Sequence, residues 1–307
     1  MSDKIWTPLE LVRWTTGYFK EHGVPSPRLD AEILLAYALG VARIELYTAF
    51  DRPVEAAERE RFRELVRERA QKRPPVAYLT GTREFWSKPF KVSEAVLVPR
   101  PETETLVRET LVREPCRIAE VGVGSGAVCG ALALELPESR IVGTDTSPEA
   151  IEIARENLAS LGVDDRCDLR CADATDGIGA GFDVLVSNPP YIRTADLPSL
   201  EPEVQHEPRS ALDGGADGLD LIRRLVTDAP GVLRPGGWLL LEIGAGQGPA
   251  VIEEMQAAGA AETALWPDLA GVDRVAAGRY GADAVRGRGA DAVRGGGANA
   301  VPGAEAD

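Results

Sequence analysis

From residue 117 onward the chain alternates short apolar runs with segments of helical spacing, and few folds satisfy that alternation. Residues 117–121, 140–144, 167–171, 184–187 and 238–243 read as strands, with two weaker strands near 263–265 and 274–277. Helices are predicted over 127–136, from the Ser147-Pro148-Glu149 cap to 161, over 219–229 and over 250–257. Strands and helices in this order build a mostly parallel sheet with helices on both faces. An apolar fraction of 44% supplies an ordinary globular core.

Residues 1–81 read differently, as a small helical domain. Thr7-Pro8-Leu9-Glu10 is a capping-box start with proline at the first helical position, followed by Leu11, Val12, Trp14, Tyr18 and Phe19 at helical spacing. Ser26-Pro27 opens a second helix that Gly40 closes, with Ile33, Leu34, Tyr37 and Ala38 as its buried stripe. A charged helix over about 54–72 turns Phe62, Leu65 and Val66 inward and stops before Pro74-Pro75. Residues 82–100 form a hairpin linker, with Glu84-Phe85-Trp86, Phe90-Lys91-Val92 and Val96-Leu97-Val98 as short strands. A helix over 102–113 then opens the domain 101–280. Residues 281–307 nearly repeat an eight-residue Gly/Ala-rich unit with too little apolar bulk for a core, and read as a disordered tail.

A net charge of -15 argues against nonspecific binding to nucleic-acid phosphates. Four cysteines in a chain this long make no disulfide framework, no apolar run reaches 18 residues, and the first residues lack a signal-peptide core. A cytoplasmic protein is expected, without membrane or direct nucleic-acid contact. Cys167 and Cys171 lie four apart on one strand, but only His22 and His206 could join them and neither has ligand spacing. Buried thiols and no metal are expected, with His206 facing solvent.

Two motifs carry chemistry. The first is the turn Glu120-Val121-Gly122-Val123-Gly124-Ser125-Gly126 after the 117–121 strand. Glycines between a strand and a helix let the backbone approach a ligand closely. Asp145, at the end of the next strand, is placed to accept both hydroxyls of a ribose. NAD and S-adenosylmethionine both fit so far. Glu120 points to the second, because a carboxylate there attracts a cationic amino-acid tail. Asp173, after the third strand, is placed to accept from an adenine amino group.

The second motif is Asn188-Pro189-Pro190-Tyr191, which leaves the 184–187 strand. An amide or aniline-like nitrogen is a poor nucleophile because its lone pair is delocalised. Two acceptors holding the NH2 group turn that lone pair toward an electrophilic methyl carbon. Asn188 offers a side-chain carbonyl, and Pro189 offers a backbone carbonyl that Pro190 makes rigid. Tyr191 packs on the planar group. Catalysis is then positioning plus stabilisation of charge developing on nitrogen.

The glycine turn, Asp145 and Asn188-Pro189-Pro190-Tyr191 together resemble amino-group methyltransferases dependent on S-adenosylmethionine. Gly81-Thr82-Arg83-Glu84-Phe85-Trp86, Val98-Pro99-Arg100-Pro101-Glu102-Thr103-Glu104 and Glu207-Pro208-Arg209-Ser210-Ala211-Leu212 narrow the resemblance to the HemK/PrmC family of peptide chain release factor glutamine N5-methyltransferases. It covers residues 1 to about 280. It implies a seven-stranded Rossmann-like methyltransferase domain, a helical domain that docks the substrate, and a hairpin linker. The implied reaction methylates the glutamine of the Gly-Gly-Gln loop in class 1 release factors. By position, Gly122, Val123, Gly124, Ser125 and Gly126 would line the methionine and ribose, and Asp145 would bind the ribose hydroxyls. Asp173 and Ala174 would lie near the adenine, and Asn188, Pro189, Pro190 and Tyr191 would hold the amide. Trp86 is either a core residue or a wall of the substrate cleft, and Arg100 either a partner contact or a cap of the linker. Three positions depart from the family pattern: Glu120 for Asp, Val123 for Thr, and Ala174 for a bulkier residue. The rivals are a nitrogen methyltransferase acting on adenine in DNA or on another protein, and a non-catalytic cofactor-binding module. A monomer is expected.

Overall fold

The computed structural model describes residues 5–49 and 51–281, so the repeat segment beyond residue 281 lies outside the described residues. The described chain falls into two compact units. The first takes the residues up to Val98 together with Asp196–Arg209, and the second takes the remainder.

The first unit holds α1 (Pro8–Glu21), α2 (Pro27–Leu39), the short α3 (Glu45–Thr48), α4 (Ala56–Lys72) and α5 (Val76–Thr80), then the hairpin β1 (Thr82–Phe85) and β2 (Lys88–Lys91). Thr7 and Glu10 close a reciprocal capping box at the start of α1. Gly40 ends α2 in the left-handed conformation at φ 66°. The buried stripe of α2 is Ala31, Leu34, Leu35 and Ala38. Tyr37, expected inside, is exposed under the Arg61 guanidinium, 5.3 Å from its ring centroid, and Ile33 is half-buried. Trp14 of α1 is likewise exposed and stacks on Tyr18. Large aromatic rings sit at the rim of each stripe, where one face packs and the other stays wet.

Arg69 is buried between Asp30 at 2.8 Å and Glu203 at 2.7 Å, and Arg73 reaches the same Glu203 oxygen at 2.7 Å. This cluster ties the 196–209 segment to α2 and α4. Burial raises the Asp30 carboxyl above its ordinary range despite Arg69. His206, expected to face solvent, is half-buried with Nε2 2.7 Å from Lys72 O. Residues 96–98, expected as a strand, form no ladder; Val96 N turns back to Ser93 O and Val98 N donates to Glu207 Oε2. Trp86 lies in the hairpin turn rather than in a strand. Trp86 and Ser87 have φ of 51° and 56°, the paired left-handed conformation of a two-residue hairpin loop that normally selects Asn and Gly.

The second unit opens with a 3-10 turn, Pro101–Thr103, and α6 (Glu104–Leu111). Then follow β3 (Arg117–Val121), α7 (Ala127–Glu135), β4 (Arg140–Asp145), α8 (Pro148–Leu161), β5 (Cys167–Cys171) and β6 (Phe182–Ser187). It ends with α9 (Asp220–Val232), β7 (Leu233–Glu242), α10 (Gly248–Ala257), β8 (Ala260–Pro267) and β9 (Asp273–Tyr280). The seven strands lie in the order β5-β4-β3-β6-β7-β9-β8; the first five are parallel, β9 runs against them, and β8, antiparallel to β9, runs with them. Alternation along each strand sorts the side chains. Ala119, Val121, Leu185, Leu239 and Leu241 join Ile222, Leu225, Val226 and Val251 in the core under α9 and α10. Their neighbours in sequence face α6, α7 and α8, which pack on one another over the other side.

Candidate active site

The strand order reverses between β3 and β6: from β3 the chain winds outward through β4 and β5, and from β6 through β7. Such a switch point leaves a crevice at the carboxyl ends of the two strands. The glycine turn leaves β3 there and Asn188 leaves β6 beside it. A Cβ built on Gly122 would stand 3.9 Å from the Asn188 carbonyl oxygen, so the two turns abut.

The glycine turn is held by short-range bonds. Gly122 N and Val123 N donate to Thr144 O at 2.8 and 3.1 Å. Gly126, at φ 77°, brings α7 against α8, where a Cβ would meet the Ala154 methyl at 3.2 Å. Asn157 of α8, buried, donates to Ser125 O at 2.8 Å. Val123 points away from the crevice and fills the space over Gly143, where a Cβ would come within 2.6 Å of it. Asp145 accepts from Gly124 N through Oδ2 and from Ser147 N through Oδ1, both at 2.9 Å. Each oxygen keeps a lone pair, as a bidentate acceptor for a diol requires.

Glu120 is 3% exposed, and its Oε2 has no partner among the described residues. Burial pushes its carboxyl well above the usual range, Cys167 and Asp145 add to the shift, and the Cys129 backbone N–H opposes it. A buried orphan acid beside a second carboxylate is a site that a cation would relieve. Asp173 is exposed and paired with Arg224 at 2.6 Å. Ala174 is buried at φ 45° with its methyl in the apolar core and its carbonyl accepting from Thr144 Oγ1 at 2.6 Å.

Asn188-Pro189-Pro190-Tyr191 is held by groups from distant segments. Asn188 Nδ2 donates to Thr103 Oγ1 at 3.2 Å, and among the described residues no donor meets its Oδ1. Gln247 Nε2 donates to Tyr191 O at 3.0 Å, while Gln247 Oε1 accepts from Gly244 N at 2.8 Å. Gly214 and Gly218 lie against the Pro190 and Tyr191 carbonyls so closely that a Cβ on either would overlap them. The Tyr191 hydroxyl stands 3.5 Å from Glu242 Oε1, and burial, then Glu242, raise its pKa. Glu242, 1% exposed at the end of β7, is pushed up to about 7 by burial; a hydrogen bond from Thr103 and the charge of Arg274 oppose the shift.

Thr103, Asn157, Gln247 and Glu242 were not anticipated from the sequence. Glu242 carried a readable signal, a lone acid closing the apolar run Trp238-Leu239-Leu240-Leu241. Asn157 and Gln247 carried none, and Thr103 lay in the Val98–Glu104 segment with no role assigned to it. Trp86 belongs to the first unit, half-buried at its hairpin turn. Arg100 starts the 3-10 turn of the second. Cys129 is buried and Cys167 half-buried, but Cys171 is exposed, because β5 is an edge strand. Among the described residues no group of three or more His, Cys, Asp or Glu could hold a metal, and no helix is long and apolar enough to cross a membrane.

Residues 10–81 match the model of the PrmC N-terminal domain, and residues 101–205 match the methyltransferase small domain. The structure resembles the catalytic domain of hMettl16 solved with a MAT2A 3'UTR hairpin, with a TM-score of 0.56 at 14% identity over 72% of this chain and 83% of that one. That likeness is one of fold. A protein of Geobacter sulfurreducens named release factor glutamine methyltransferase is 45% identical over 282 residues, which are 91% of this chain and 98% of the relative. One of the same name from Moorella thermoacetica is 46% identical over 82% of this chain and 91% of its own. On identity and coverage of this extent, the chain belongs to the release factor glutamine methyltransferase family.

Proposed function

We propose that this enzyme transfers the methyl group of S-adenosylmethionine to the side-chain N5 of the glutamine in the Gly-Gly-Gln loop of class 1 release factors. The observation that carries this reading is that the glycine turn and Asn188 lie side by side at the switch point, as a cofactor cradle and an amide-holding motif would need to. The donor set of the cradle fits the cofactor: Asp145 has acceptors to spare for a ribose diol, and Glu120 is a buried acid that a cationic tail would satisfy. When bound, the sulfonium supplies an electrophilic methyl carbon.

The chain's own residues position the nucleophile. Asn188 Oδ1 and the Pro189 carbonyl accept the two amide protons, which turns the nitrogen lone pair toward the donor and favours the positive charge that develops there. Tyr191 packs on the amide plane. Gly122, Val123, Gly124, Ser125 and Gly126 shape the floor under the methionine and ribose, and Asp173 and Ala174 border the adenine. The helical unit docks the release factor, and Trp86 forms a wall for it. The protein works as a cytoplasmic monomer, with no direct nucleic-acid or membrane contact.

The test is mass spectrometry of a purified release factor after incubation with the protein and S-adenosylmethionine. One added methyl on the Gly-Gly-Gln peptide is expected. A protein that binds the cofactor and leaves that peptide unchanged would refute the substrate.

A further inference from the structure

We infer that Leu269, on the turn between β8 and β9, is a docking contact for the release factor, packing on an apolar patch of its surface beside the Gly-Gly-Gln loop. The inference rests on the substrate proposed above and names a part of this chain that grips it away from the reacting amide.

Leu269 is 97% exposed, more than any other large apolar side chain among the described residues. A single exposed leucine means little by itself, since folded surfaces carry many. The turn that carries this one sets it apart. Asp268, whose side chain is 7% exposed, ties the turn together. Its Oδ1 accepts from Ala270 N at 2.8 Å and from Val272 N at 3.0 Å, and its Oδ2 accepts from Arg274 Nε at 3.0 Å. Gly271 N donates to Asp268 O at 3.0 Å, and Asp268 N donates to Val272 O at 2.8 Å. Aspartate at the first position and glycine at the fourth suit such a turn. The backbone is therefore fixed before a partner arrives, and an apolar side chain held out on a fixed backbone loses less conformational freedom on binding than one on a loose loop.

Sheet topology puts the turn on the catalytic edge. β6 and β7 are parallel, with Ser187 opposite Leu241, so the carboxyl end of β7 stands beside Asn188. β9 runs against β7, with Val275 opposite Glu242, and Ile243 N donates to Arg274 O at 2.9 Å. The turn before β9 thus rises from the same edge as the Asn188 turn. Two strand spacings separate β9 from β6, about 10 Å. The glycine turn and Asp145 lie on the opposite side of Asn188, at the ends of β3 and β4. With the cofactor on that side, a protein that brings its glutamine to Asn188 extends over the ends of β7 and β9. Leu269 stands too far aside to touch the amide, and meets the surface around the loop that carries it.

The test uses the full-length protein with Leu269→Asp, Leu269→Ala and Leu269→Met, assayed on purified release factor. A side chain this exposed takes no part in packing the fold, so melting temperature and S-adenosylhomocysteine binding should match wild type in all three. The KM for release factor should rise roughly 10-fold in Leu269→Ala and further in Leu269→Asp, with kcat near wild type, as for loss of a contact made equally in ground and transition states. Leu269→Met, apolar and of similar volume, should keep most of the affinity. Calorimetry of release factor binding reads the same contact without turnover and should rank the Kd values in the same order. A KM and Kd for Leu269→Asp indistinguishable from wild type, a fall in kcat at unchanged KM, or release factor that does not bind the wild-type protein overturns the inference. Release factor that binds wild type more tightly than Leu269→Asp yet gains no methyl would support this contact and count against the proposed reaction.

Discussion

The two turns that meet at the switch point are built by different means. The glycine turn is held mainly by its neighbours: the Thr144 carbonyl on the adjacent strand, Asp145 one residue on, and Asn157 from the next helix. The Asn188-Pro189-Pro190-Tyr191 turn is held by Thr103, Gly214, Gly218, Glu242 and Gln247, which come from several separate segments. The glycine turn can be local because its glycines and one strand end supply nearly all of it. On the proposed reading the Asn188 motif must aim two acceptors within a fraction of an ångström, which needs support from several elements at once.

The difference makes the two turns separable by mutation. The largest effect is expected from Asn188→Ala, which removes one of the two amide acceptors. The kcat should fall on the order of 100- to 1000-fold, as for loss of one preorganised hydrogen-bonding group, while S-adenosylhomocysteine binding by calorimetry stays near wild type. Loss of both together would mean that the turns are one unit.

Glu242 gives the next effect, through pH. Its carboxyl is raised to about 7 from 4.5, so between those values the folded chain holds a proton that the unfolded chain has lost. Stability contributed by this group is therefore greatest in acid and falls as pH rises from about 4.5 to about 7, by about 3 kcal/mol in all. Glu242→Gln should abolish that component. In urea melts its stability relative to wild type should rise by that amount between pH 5 and pH 8. Activity should move the other way. The wild-type rate should climb through about pH 7 as Glu242 ionises among Glu102, Tyr191 and Arg274, and the variant should show no such limb. A parallel pH dependence of stability in the two proteins would show that Glu242 is ionised at low pH and not strained by burial.

The glycine side should respond in cofactor affinity rather than in rate. Asp145→Ala is expected to weaken S-adenosylhomocysteine binding by roughly 10- to 100-fold, the worth of a charge-assisted bidentate contact, with the residual kcat at saturation near wild type. The smallest effect belongs to Gly124→Ala. Gly124 has φ 55° with open space around its Cβ position, so only backbone strain is added, about 1 kcal/mol by thermal melt. Gly218→Ala should cost more than Gly124→Ala, because the added methyl runs into the Tyr191 carbonyl. Equal costs would mean that the Tyr191 backbone is not tightly seated.

What the sequence disclosed follows the same division. The strand and helix alternation of the second unit was legible because each element buries an apolar face at its own period, and the strand ends then located the glycine turn, Asp145 and Asn188 without reference to distant residues. The α2 stripe was misaligned because Tyr37 and Ile33 are as apolar by composition as Leu35, and only the packing against α1 and α4 decides which of them goes inside. Trp86 reads as a strand residue by propensity, yet a two-residue loop places it at the turn with positive φ. The roles of Thr103, Gln247 and Asn157 were invisible for a stronger reason, although Thr103 lies in a segment that carries the family resemblance. Each is an ordinary polar residue in a helical or turn context, and each gains its role from a backbone or side-chain group that arrives only when the sheet closes.

The central claim is that the abutting turns methylate one particular amide nitrogen and that Asn188 aims it. The most direct measurement is tandem mass spectrometry of release factor treated with S-adenosylmethionine and either wild-type protein or Asn188→Ala, with cofactor binding checked for both. A single methyl on the Gly-Gly-Gln glutamine with wild type, and almost none with the variant, is the result expected. A methyl at another residue, or the same glutamine modified equally fast by Asn188→Ala, would contradict it.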